Sequence, residues 1–135
     1  MTTTQKEHSI TTFIALDVAL QLIRSLRLVV ARIRRHDAKL ADQLQRSASS
    51  IAANVAEGRR RAGRDRTDLY RVAAGSADET RTHLWVAEAW GWVDEADIAD
   101  LGRLGRPAAQ ATARTDPLNR GSAPAGAGLA QCVSL

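Results

Sequence analysis

Gln43-Leu44-Gln45-Arg46-Ser47-Ala48-Ser49-Ser50-Ile51-Ala52-Ala53-Asn54-Val55-Ala56-Glu57-Gly58 runs straight into Arg59-Arg60-Arg61. Leu40, Leu44, Ala48, Ile51 and Val55 recur at steps of four, four, three and four, which is one apolar stripe on a helix. Gly58 stands where a helix C-terminus accepts left-handed dihedrals. The arginines that follow favour the negative end of the helix dipole. The densest cationic patch of the chain is therefore expected at a helix corner, held by a helix of small residues. Such a patch suits an anionic partner better than it suits catalysis.

Upstream, a first long helix is expected from Ser9 to Arg35, with Phe13, Leu16, Leu20, Ile23, Leu26, Val30 and Ile33 on its inner side. Leu22 and Val29 widen that side enough to meet two neighbours. Residues 1–8 read as a polar arm. Asp37 is the expected N-cap of the second helix. Downstream, Arg59 to Arg64 form a connection, and Asp65 is the expected cap of a third helix that runs to Trp90 and is closed by Gly91. Its inner side carries Leu69, Val72, Ala73, Gly75, Ser76, Ala77, Thr80, Leu84, Ala87 and Trp90. The matching small residues Ser47, Ala48, Ala52 and Ala56 predict that helices two and three pack closely as an antiparallel pair.

Asp94 to Asp97 open a fourth helix that keeps its spacing through Ile98, Leu101 and Leu104. Gly102 and Gly105 weaken it, and Pro107 disfavours helical dihedrals at Arg106. A ragged continuation through Ala108–Arg114 and a flexible Gly/Ala/Pro tail at 115–135 are expected. The bundle domain is thus read as 9–114. Scarce aromatics, abundant Ala and Arg and the lack of alternating patterns make the fold class all-α.

Charge is segregated along the chain. Residues 24–71 hold thirteen Lys or Arg against five acids, whereas residues 72–101 hold one Arg against seven acids. Such polarity can attract nucleic acid at one face and pair copies of the chain by charge at another. Cys132 is the single cysteine, which excludes an intramolecular disulfide and fits a reducing compartment. No signal peptide and no run of ~20 apolar residues is visible. A cytoplasmic protein with no membrane association is expected.

Arg59, Arg60, Arg61, Arg64 and Arg66, joined by Arg71, are the candidate nucleic-acid contacts, because guanidinium groups donate in a planar fork that matches phosphate. No recognition-helix motif accompanies them, so binding without base specificity is expected. Asn54 and Glu57 lie three apart beside the apolar stripe. They read as a buried amide and carboxylate that fix helix register by hydrogen bonds to backbone or to an arginine. Trp85, Trp90 and Trp92 read as core and subunit-contact anchors. A base-stacking platform is the sharper alternative, opposed by the nearby Glu88, Asp94 and Glu95. Glu79 and His83 are the one pair at metal-ligand spacing, too few for a carboxylate-bridged site. No nucleophile-base grouping and no phosphate-binding glycine loop is present. No enzyme activity, no cofactor and no metal are expected.

The run Ser50-Ile51-Ala52-Ala53-Asn54-Val55-Ala56-Glu57-Gly58, the arginines after it, Ala74-Gly75-Ser76 and Ala87-Glu88-Ala89-Trp90-Gly91-Trp92 resemble the bacterial four helix bundle protein family. That family includes proteins encoded by 23S rRNA intervening sequences and the accessory variability determinant of diversity-generating retroelements. The resemblance spans about residues 12–104. It implies an antiparallel up-down four-helix bundle, assembled as a homopentamer with basic surfaces, that binds RNA or DNA as an accessory to an enzyme such as a reverse transcriptase. A scaffold for an acidic protein partner is the alternative. Two departures stand out. Ala52 occupies a position where many members carry Pro, so a straighter second helix is expected. The leucine pattern of helix four decays after Leu101.

Overall fold

The computed structural model describes residues 3–99 and Leu101, with side chains from Ile14 onward. Among these residues the chain is helical and holds no strand. Helix α1 spans Thr3–Arg34, α2 Ala38–Gly58 and α3 Gly63–Ala89. A fourth helix, α4, opens at 95–99 and includes Leu101. The expected continuation through 108–114, the tail at 115–135, Leu104 and the side chain of Phe13 lie outside the described residues. The stretch read as a polar arm is already helical from Thr3, so α1 starts six residues earlier than its apolar pattern indicated.

Helix α2 forms as its sequence dictates. The Asp37 side chain, on an extended backbone, accepts from the Leu40 amide at 3.0 Å, which satisfies one of the orphan N–H groups of the first turn. The stripe Leu40, Leu44, Ala48, Ile51 and Val55 is buried along its whole length, and Leu44 and Val55 lose all their exposed surface. α2 is the central element, packed on α1 along one side and on α3 along the other.

The inner side of α1 is centred on Ala15, Ala19, Leu22, Leu26, Val29 and Ile33. That differs from the expected centre. Leu16 and Ile23 move to the flank, and Leu20 is exposed. Apolar residues cover so much of the α1 circumference that periodicity alone left its orientation open, and the small Ala15 and Ala19 sit where the neighbouring helices approach.

Helices α2 and α3 meet through small polar side chains in antiparallel register. Thr80 Oγ1 donates to Ser47 Oγ at 2.9 Å, and Ser47 donates to the Leu44 carbonyl at 3.1 Å. One layer along, the Ser50 and Ser76 hydroxyls bond at 2.8 Å. Ser47, Ser76 and Thr80 are buried, and no described buried side-chain polar atom lacks a partner. The expected close antiparallel pair therefore forms, but Val72 and Gly75 point outward, and Tyr70 supplies the burial expected of Val72. Thr80→Val keeps the shape and removes the hydroxyl. We expect it to lower stability by about 1 kcal/mol, measured as a lower denaturation midpoint at unchanged slope.

Two turns define the end of the molecule opposite the arginines. The α1–α2 turn is closed by the His36 and Asp37 amides donating to the Ile33 carbonyl at 2.9 and 2.8 Å. At the end of α3, Gly91 takes φ 74° as expected. Its amide donates to the Glu88 carbonyl and that of Trp92 to the Ala87 carbonyl, which together satisfy the last carbonyls of the helix. α4 is docked by Val93 and Leu101, both buried, and by an ion pair of 2.6 Å between Arg32 and Asp97. That pair is half-exposed and contributes at most about 1 kcal/mol.

Candidate nucleic-acid interface

The arginine corner is built by the end of α2, the four-residue connection and the first turn of α3. The backbone does not turn at Gly58, which keeps an ordinary negative φ. The left-handed residue is Gly63, at φ 58°. Gly58 is needed for a different reason: a Cβ there would stand 2.6 Å from Cε1 of the buried Tyr70 ring. Close approach of α2 and α3, not turn geometry, selects the glycine. The cap of α3 also differs from expectation. Ala62 takes the N-cap position with no side-chain hydrogen bond, and Asp65 sits in the first turn, where its charge still favours the positive end of the helix dipole.

The six candidate arginines divide into two sets. Arg61 pairs with Glu57 at 2.9 Å, Arg66 Nε donates to the Arg61 carbonyl at 2.8 Å, and Arg71 pairs with Asp68 at 3.1 Å. These contacts brace the corner from within. Arg59, Arg60 and Arg64 are exposed and have no ion-pair partner among the described residues. They are therefore available to an external anion without first breaking an internal pair.

Asn54 is half-buried and donates to the Ser50 carbonyl at 2.8 Å and to Ser50 Oγ at 3.0 Å. It backs the Ser50–Ser76 contact, a register role as read from the sequence. Glu57 corrects its reading: it is exposed rather than buried, because it sits on the last turn of α2 beside the connection. Its partner is the expected arginine.

The three tryptophans also separate. Only Trp92 packs against the core. Trp85 and Trp90 are 52% and 69% exposed, so they are not core anchors. Arg81 lies over the Trp85 ring at 5.5 Å and is itself held by Asp78. Trp90 stacks on Trp92 with centroids 5.9 Å apart, and Trp92 stacks on His36 at 5.4 Å with planes 4° apart. No spacing rule could have joined His36 to Trp92, since they lie on different turns brought together by packing. The stack and the arginine corner sit at opposite ends of α2, whose 21 residues separate them by roughly 30 Å.

Among the described residues, surface grooves flank α2. One, of about 370 Å³, runs along α1 between Ile23, Arg27, Ala31 and Arg34 on one wall and Gln45 and Ser49 on the other. The second, of about 400 Å³, is polar and lined by Gln43, Arg46, Ser47, Ser50 and Glu79. Glu79 contacts His83 at 3.4 Å. No group of three or more metal-ligating side chains occurs among the described residues. No described helix is long and apolar enough to cross a membrane.

Over the described residues, these features define an all-helical protein with a cluster of exposed arginines at one helix corner. The family model for the 23S rRNA-intervening sequence protein matches residues 13–106, and the chain belongs to that family. A crystal structure at 1.70 Å of a protein of unknown function from the S23 ribosomal protein family of Bacteroides thetaiotaomicron matches with a TM-score of 0.69. The match covers 79% of this chain and 99% of that one at 15% identity, and the likeness is one of fold. No curated protein matches the chain.

Proposed function

We propose that this chain is a non-enzymatic, homo-oligomeric subunit that binds the nucleic-acid backbone through its arginine corner, with α4 completing an antiparallel up-down four-helix bundle. The observation that carries the reading is the exposure of Arg59, Arg60 and Arg64 with no ion-pair partner among the described residues, on a corner braced by Arg61, Arg66 and Arg71. Charged donors that are clustered and not already paired suit phosphate best, and among the described residues these arginines meet each condition. The family is named for intervening sequences of 23S rRNA, so RNA is the nucleic acid to test first. The exposed Trp85 suits contacts between subunits, and corners left open in an oligomer would raise avidity without a strong single site.

Phosphate binding must release counterions, so affinity should fall steeply with salt. Replacing Arg59, Arg60 and Arg64 together by Ala should weaken RNA binding and flatten the slope of log K against log salt by roughly two to three. A salt titration of RNA and DNA binding by nuclease-treated protein reads both. Affinity that ignores salt and the triple substitution would sink the proposal. Retention of an acidic protein by the same arginines, with no RNA bound, would favour the adaptor reading instead.

A further inference from the structure

We propose that copies of this chain associate end to end, the arginine corner of one docking on the Trp90 end of the next. The Trp90 end offers a flat, exposed aromatic surface backed by Trp92 and His36. Glu88, Asp94 and Glu95 stand at the same end with no ion-pair partner among the described residues, while Asp97 is taken by Arg32. Arg59, Arg60 and Arg64 stand open at the other end. The length of α2 holds the two sets apart, so neither can satisfy the other within one molecule.

The chemistry of the two ends is complementary. A guanidinium is weakly hydrated and planar, and it is attracted both to an indole face and to carboxylates. The chain already makes such an arrangement internally, where Arg81 lies over Trp85 and pairs with Asp78. Arg35 and Lys39 lie at the Trp90 end too, but on the α1–α2 turn with Asp37 between them. They reduce the attraction without reversing it. A nucleobase on Trp90 would bring phosphate against the carboxylates, whereas an arginine brings the opposite charge. Corner-to-corner contact would oppose like charges, so head-to-tail is the favoured arrangement. Such a contact is heterologous and open-ended, so its extent grows with concentration. If the corner also binds nucleic acid as proposed above, the two uses compete for the same arginines.

The test is sedimentation velocity on the nuclease-treated full chain, over a range of concentrations at low and high salt. At low salt the weight-average mass should rise with concentration to at least roughly twice its high-salt value. One variant, Trp90→Ala with Asp94→Lys and Glu95→Lys, and a second, Arg59→Glu with Arg60→Glu and Arg64→Glu, should each lose this rise. An equimolar mixture should recover it, because each variant supplies an end the other lacks. Recovery also establishes that both variants fold. A rise unaffected by either variant, a mixture that fails to recover, or no rise in the unmodified protein overturns the proposal. The Trp90-end variant should still bind RNA, so failure of stacking and failure of nucleic-acid binding are read separately.

Discussion

Gly58→Val is expected to destabilise the fold by about 3 kcal/mol, at the upper end of typical overpacking costs. The first atom beyond the backbone meets the edge of Tyr70, with Cε1 at 2.6 Å and Cδ1 at 2.9 Å. Tyr70 is 5% exposed, so its ring has no solvent-filled space to retreat into and α2 must separate from α3. Gly58→Ala meets the same obstacle, but the better helix propensity of Ala returns up to about 1 kcal/mol, so its net loss should be smaller. The diagnostic measurement is a double-mutant cycle with Tyr70→Ala. If the clash is the cause, truncating the ring should make Gly58→Val far less costly than it is beside an intact Tyr70. Equal costs in both backgrounds would show that the glycine serves a conformational need instead.

Leu44→Ala should cost about 2–5 kcal/mol. Leu44 is fully buried in the first half of α2, in the cluster that joins residues of all four helices, including Leu26 and Ile33 of α1, Leu84 of α3 and Leu101 of α4. Removing its side chain takes apolar area from the core and leaves a space that backbone-linked neighbours on several sides cannot close. The denaturation midpoint should fall at an unchanged slope. A loss below ~1 kcal/mol would mean that the core relaxes around the site, and that α2 is not the common packing surface described above.

Much of this fold was legible along the chain. The Leu40–Val55 stripe, the Asp37 cap and the Gly91 closure rest on interactions within a few residues, and each formed where the local pattern placed it. The close α2–α3 pairing was legible as well, because small residues at helical spacing carry that signal on both partners. The orientation of α1 was not, since its apolar residues encircle too much of the helix. The start of α3 two residues ahead of Asp65 was likewise missed: Gly63 and Ala62 carry no capping side chain to announce it.

For the candidate site, sequence alone determined that arginines crowd the connection after α2. Which of them are open was decided by side-chain direction in the folded structure. Arg61, Arg66 and Arg71 are bound by groups three to five residues away, and side-chain direction chose among equivalent candidates. The same holds for Gly58, whose role comes from a ring twelve residues on, and for Trp90 and Trp92, which one local run presents as equals and the fold separates into surface and core. Spacing fixes what neighbours along a helix can do. Which individual side chain meets which partner across helices depends on distances that no local pattern encodes, and those distances decide which charges and rings remain for a partner.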